Sequence, residues 1–164
     1  MKPIIFSTPM VRAILDGRKT QTRRVYNALR QDPYSRGDLL YVKEAWGFCP
    51  KCGRVNFRAT TKHCTGCDEY IEKWKSSIHM FREDSRITLR VTRVRAQRLQ
   101  DITEADAMAE GCDGNCGIGY IPAHQAGPLV YHYAQVWESL NAKREYSWDS
   151  NPLVWRIEFE RVKP

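Results

Sequence analysis

Cys49-Pro50-Lys51-Cys52-Gly53 and Cys64-Thr65-Gly66-Cys67-Asp68 are two matching knuckles, with eleven residues between Cys52 and Cys64. No other feature constrains the fold as strongly. Two residues between thiols let both sulfurs face one ion, and a glycine just beyond frees the backbone to turn. Four thiolates close a tetrahedral zinc site with no open position. Residues 48–69 also differ in composition from their surroundings, with many charges and few aliphatics, so they read as an inserted module. A structural zinc on Cys49, Cys52, Cys64 and Cys67 is expected to fold that module, with its binding energy spent on folding and none on activating water. Cys112 and Cys116 form a looser pair and read as loop thiols. A second metal site there would need two more ligands, such as His124 and His132.

Around the module, 164 residues with 42% hydrophobic and 11% aromatic content suffice for one globular domain with a core. The expected organisation is a single domain over 1–164, with the insertion at 48–69 and an irregular glycine-containing loop at 112–127. A formal charge of +7 favours polyanionic partners, nucleic acid above all. No run approaches the ~20 apolar residues of a membrane span, and the N-terminus lacks the apolar stretch of a signal peptide. A cytoplasmic protein with no membrane partner is expected, which favours metal ligation over disulfides for the cysteines.

Lys2 to Phe6 reads as a first strand. Ser7 or Thr8 caps a helix with Pro9 in its first turn, an apolar face of Met10, Val11, Ala13, Ile14 and Leu15, and Gly17 as its stop. Asp32 to Asp38 is a turn cluster, followed by a strand from Leu39 to Val42. Arg86 to Val94 is rich in β-branched residues. Thr103 with Asp106 makes a capping box for a helix that ends at Gly111. A third helix runs from about Leu129 to Leu140, its stripe formed by Val130, Tyr133, Ala134, Trp137 and Leu140. Leu153 to Val162 alternates as a last strand. Strands outnumber helices and are not regularly interleaved with them, which predicts a small mixed α+β domain with a curled sheet.

Gly17-Arg18-Lys19-Thr20-Gln21-Thr22-Arg23-Arg24 places a lysine, two threonines and three arginines in eight residues. Read alone, it favours a basic turn that grips phosphate. It also has the makings of chemistry, because a lysine whose pKa is lowered by burial and by neighbouring cations activates a nearby hydroxyl. Lys19 and Thr22 converge in a turn and diverge on a strand.

Gly17-x-Lys19-x-x-Thr22-x-Arg24 resembles the signature of the ASCH domain family. The preceding apolar helix, Gly37-Asp38-x-Leu40, the strand Ile87 to Val94, the helix carrying Glu110 and Val154-x-x-Ile157-x-Phe159 extend the resemblance over most of the chain outside the cysteine module. The stretches from Lys2 to Met10 and Ser77-Ile78-His79-Met80 are similar to a branch carried by phages and prophages. The resemblance implies a PUA-like β-barrel that binds RNA or a modified nucleoside. It also implies the chemistry of a bacterial branch that removes the acetyl group from N4-acetylcytidine with a lysine, a threonine and a glutamate. Carried over, these are Lys19 as base, Thr22 as nucleophile and Glu110 as the group that orients or shuttles the proton. No organic cofactor is implied. The chain is much longer than that branch, and its cysteine module and the loop from Cys112 to Gly127 are expected to lid the pocket, narrow it, or accept a polymer in place of a free nucleoside. A non-catalytic nucleic-acid-binding module and a ribonuclease using the same basic pocket are the alternatives.

Arg18, Arg23 and Arg24 are candidate substrate-binding residues. Trp46 is the favoured base-stacking tryptophan over Trp74, Trp148 and Trp155. His79 is a candidate for phosphate or proton chemistry. The run Arg82, Arg86, Arg90, Arg93, Arg95 and Arg98 reads equally as a solvated face and as a phosphate track.

Overall fold

A computed structural model describes residues 1–26, 34–113 and 128–162. The turn expected over Asp32 to Asp38 is present at Arg36 and Gly37, where the Asp38 amide donates to the Ser35 carbonyl at 3.0 Å, while residues 32 and 33, the loop from 114 to 127 and with it Cys116 and His124 lie outside the described residues. A five-stranded sheet runs in the order β1-β3-β6-β7-β2. Its strands are β1 (Lys2–Ile5), β2 (Gln21–Val25), β3 (Leu39–Lys43), β6 (Thr88–Arg98) and β7 (Leu153–Val162). A separate hairpin pairs β4 (Trp46–Phe48) with β5 (Val55–Phe57). β1 lies parallel to β3, and all other neighbours are antiparallel. The α+β class read from the order of elements is the class observed.

The sheet is built on the long β6–β7 pair, whose register slips between Val91 and Arg93. Such a bulge bends and twists a strand. One face buries Leu40, Val42, Leu89, Val91, Ile157 and Phe159 against α1 (Thr8–Leu15), which contributes Val11 and Ile14. The other face meets α2 (Glu104–Ala109) and α3 (Pro128–Asn141) through Ala107, Tyr133, Trp137 and Val154. The expected helical stripe differs at Leu140, which is exposed and lines a cleft with Met10 of α1.

β1 and β2 are the two edges of the sheet, and the curl brings them together. Arg24 Nη2 on β2 donates to the Ile5 carbonyl on β1 at 2.7 Å, with its guanidinium 5.4 Å from the Phe6 ring centroid. Among the described residues no backbone ladder joins these edges, so the sheet is curled but open, with a side chain across the seam.

Both short helices end as their sequences require. Gly17 has φ +77° after α1, and the Arg18 and Lys19 amides both donate to the Ala13 carbonyl. Thr103 and Asp106 exchange the two bonds of a capping box at the start of α2. Gly111 ends α2 with φ +91°, and a Cβ there would lie 2.8 Å from Ala13 Cβ. The two helix ends therefore approach more closely than a side chain at 111 permits.

The cysteine module is the connection between two paired strands. β3 ends at Lys43 and β6 begins at Thr88, yet they are antiparallel neighbours, and the Val42 amide still donates to the Ile87 carbonyl at 3.0 Å. Residues 44–86 thus leave and rejoin the sheet at one place, and the segment 48–69 lies inside that longer excursion. Arg86 closes its neck with a bidentate pair to the buried Glu44, Nε to Oε1 at 2.9 Å and Nη2 to Oε2 at 3.0 Å, with its guanidinium 4.1 Å from the Phe57 ring centroid.

Candidate functional site

Lys19 precedes β2, and the capping geometry at Gly17 turns it inward beneath the end of α2. It is 2% exposed and its ammonium has three acceptors: the Gln21 carbonyl and the Glu110 carbonyl, each at 2.8 Å, and Glu110 Oε2 at 3.0 Å. An ammonium has three N–H donors, so all are used. Burial pushes the Lys19 pKa below its ordinary value, with the Glu110 carboxylate pulling the other way and the Arg24 charge adding to the depression. The sequence separation of 91 between Lys19 and Glu110 is closed by the meeting of the α1 and α2 ends.

The octet read as a turn continues as β2, and strand alternation then sorts its side chains. Gln21 and Arg23 face α2. Arg23 is buried, with Nη1 2.9 Å from Glu110 Oε1, Nη2 3.0 Å from Asp106 Oδ2 and its guanidinium 5.8 Å from the Tyr133 ring centroid. Asp106 also pairs with Arg156 at 2.8 Å, Arg156 Nε donates to Gln21 Oε1 at 2.9 Å, and Gln21 Nε2 donates to the Asp106 carbonyl at 3.0 Å. With Glu158 bonded to Arg156 at 3.2 Å, three cations face three carboxylates. Burial would raise the Asp106 pKa, but the Thr103 amide and the charges of Arg23 and Arg156 outweigh it, and the carboxyl sits below its ordinary value. Burial and the nearby Glu110 carboxylate hold the Tyr133 phenol well above its own.

Thr22 is buried on the opposite face of β2, paired with Ile157 inside the curl of the sheet. Arg24 shares that face. Lys19 bridges the two sides, since its ammonium lies 5.5 Å from the centroid of the same Phe6 ring that Arg24 covers. Arg18 is more open, bonded to Asp16 and to the Gly111 carbonyl. A cleft of about 390 Å³ between α1 and α3 reaches this cluster, lined by Met10, Arg12, Arg18, Glu110, Tyr133 and Leu140 among others. The structure therefore brings Lys19, Glu110, Arg23 and Arg18 together and sets Thr22 and Arg24 just across β2. Asp106, Gln21 and Arg156 belong to the same network. The capping box already marked Asp106, but nothing in the sequence marked Gln21 or Arg156, whose partners are remote.

Trp46 and His79 lie elsewhere. Both line a groove of about 610 Å³ on the outer side of β3, with Lys43, Lys75 and Phe81. Trp46 is only 2% exposed and forms its wall.

The four knuckle cysteines converge. One sulfur from each lies within 4.8 Å of the others, with Cys49–Cys67 and Cys52–Cys64 at 3.5 Å and Cys52–Cys67 at 3.6 Å. A tetrahedral ion with Zn–S bonds of about 2.3 Å sets its sulfurs roughly 3.8 Å apart, so the spacing fits zinc. The two knuckles are equivalent in backbone. The Cys49 amide donates to Arg54 and the Cys64 amide to Glu69, while Gly53 donates back to Cys49 and Asp68 to Cys64. Gly53 takes φ +71° and Asp68 φ +58° at matching positions, so the second knuckle makes with aspartate the turn that the first makes with glycine. The Gly66 amide, directed at the Cys64 sulfur, holds that thiol down at about 6.

No family model matches this sequence, and no curated protein matches it. In structure, the chain resembles a crystal structure of an Enterococcus faecalis V583 protein of the DUF984 family, with TM-score 0.54 and 14% identity over 99% of this chain and 81% of that one. That likeness shows a shared fold. An ASCH domain from Lactobacillus crispatus JV V101 aligns with TM-score 0.47 and 11% identity, over 93% of this chain and 69% of that one. Among the described residues no helix is long and apolar enough to cross a membrane.

Proposed function

We propose that this chain is an ASCH-type domain that binds RNA or a modified nucleoside and hydrolyses the N4-acyl amide of an acylated cytidine. The observation that carries the reading is the buried contact of Lys19 with Glu110, beside the strand that holds Thr22, with Glu110 itself lining a cleft large enough for a nucleoside. In the proposed reaction Thr22 Oγ1 attacks the acyl carbonyl while Lys19, deprotonated, takes the hydroxyl proton. Glu110 holds the resulting ammonium. The C–N bond breaks as Lys19 returns the proton to the N4 amine, and water then hydrolyses the threonyl ester to release the acid. The depressed Lys19 pKa supports its role as base.

A binding module without turnover is the second reading, and one arrangement favours it. All three Lys19 donors are held by fixed acceptors, and Thr22 faces away from Gln21 and Arg23. Incubation with N4-acetylcytidine and with labelled single-stranded RNA separates the two. Acetate release that is lost in Lys19→Ala and Thr22→Val supports the hydrolase. Release that survives in folded Lys19→Ala removes the mechanism. Salt-sensitive RNA binding with no product supports the module, and strand scission supports a ribonuclease.

The four clustered cysteines hold a structural zinc in this reading. Their spacing and their paired backbone turns support a closed site that orders the 44–86 excursion.

A further inference from the structure

We propose that the groove between the outer face of β3 and residues 75–83 is a second binding site, for the backbone and one base of a single-stranded nucleic acid. It extends the reading above from a nucleoside pocket to a polymer path, and it stands on different residues.

The charges in this groove are uncompensated. Lys43, Lys75 and Arg82 line it, and among the described residues none of the three forms a salt bridge. Among the described residues Glu83 is the one carboxylate on its walls. Lys75 is positioned by rings, its ammonium 4.9 Å from the Trp46 centroid and 4.6 Å from that of Phe48. Lys43 spends one donor on the Ile78 carbonyl at 2.6 Å and keeps two. Two positioned lysines and Arg82, with one acid among them, attract an anion.

The apolar side says which anion. Phe81 is 69% exposed and Ile78 58% exposed, side by side with the cations. An exposed aromatic flanked by cations is the arrangement that stacks a base while its phosphates are neutralised. Acidic peptides match the charge but not the ring, and duplex nucleic acid offers no free base face to Phe81.

One backbone contact links the strand under the groove to the cluster around Lys19. The Phe6 amide donates to the Lys43 carbonyl, and the Phe6 ring is faced by Lys19 and Arg24.

Fluorescence anisotropy with a short labelled single-stranded RNA, its DNA equivalent, a duplex of the same sequence and poly-glutamate tests this. Phe81 and Arg82 are exposed, so Phe81→Ala and Arg82→Gln are expected to fold, with circular dichroism as the check. Phe81→Ala should weaken single-strand binding about tenfold. Lys75→Gln with Arg82→Gln should lessen the slope of log affinity against log salt by about 0.7 per cation removed. Binding or turnover of the free nucleoside should be unchanged in both, so a protein inert toward nucleosides that still binds strands through Phe81 refutes the hydrolase and leaves the groove standing. The proposal is overturned by wild-type protein that binds no single strand, by strand affinity indifferent to Phe81 and Arg82, or by equal and Phe81-independent capture of poly-glutamate.

Discussion

Lys19 and Glu110 are joined at two points, ammonium to carboxylate at 3.0 Å and ammonium to carbonyl at 2.8 Å. One side chain thereby satisfies the end of α2 and neutralises the carboxylate that Arg23 also needs. Glu110→Gln leaves Lys19 buried without its one carboxylate and Arg23 with Asp106 alone. Loss of one partner from a buried pair costs about 3–5 kcal/mol. Urea unfolding should show that loss, and a midpoint unchanged from wild type would mean the network relaxes into water.

Asp106 contributes to the acid limb of stability. Its folded pKa lies below the ordinary value of 3.8, so the unfolded chain binds the proton first as pH falls. The contribution is complete above that ordinary value and is lost as pH drops through the lower folded one. Asp106→Asn should flatten the acid limb of a stability–pH profile while lowering stability at neutral pH. An acid limb identical to wild type would place the titration elsewhere.

Arg24→Ala removes the side chain that spans the seam between β2 and β1. The bond is solvent-accessible, so the equilibrium cost should be small, about 1 kcal/mol. Local opening should rise more, because no ladder backs it up. Hydrogen exchange at β1 amides should quicken while β6 amides keep their protection, and uniform exchange across both would contradict the open-edge arrangement.

Chelation should dissect the molecule. One zinc per chain is expected by elemental analysis, falling to none in Cys49→Ser. Trp74, packed on the cysteine cluster, should change its fluorescence on metal removal, while the far-UV signal of the main sheet persists. Collapse of the whole protein in a single step would show that the excursion and the sheet fold as one.

Much of the fold was legible because its signals are local. The stop at Gly17, the capping box of Thr103 and Asp106, the turn at Gly111 and the alternation of β7 all depend on neighbours within a few residues. β2 was hidden because its polar side chains are buried. Gln21 and Arg23 are tolerated only through Asp106, Glu110 and Arg156, partners 83 to 135 residues away, and no periodicity announces them. Lys19 was marked by its basic octet and Glu110 by resemblance, and their contact is visible only once the two helix ends meet. The groove was legible only as scattered candidates, since Trp46, His79 and Arg82 come together when the excursion folds back over β3.

The Glu44–Arg86 clasp has a consequence for how such a chain is assembled and inherited. Outgoing and returning backbones sit on adjacent antiparallel strands, the geometry that a short turn spans in an ordinary hairpin. A gene trimmed from Lys43 to Ile87 would still encode every strand of the main sheet. Any segment whose ends meet at that spacing has a berth there, provided it also supplies what Ala59 gives now, a core contact and a carbonyl for Arg12 of α1.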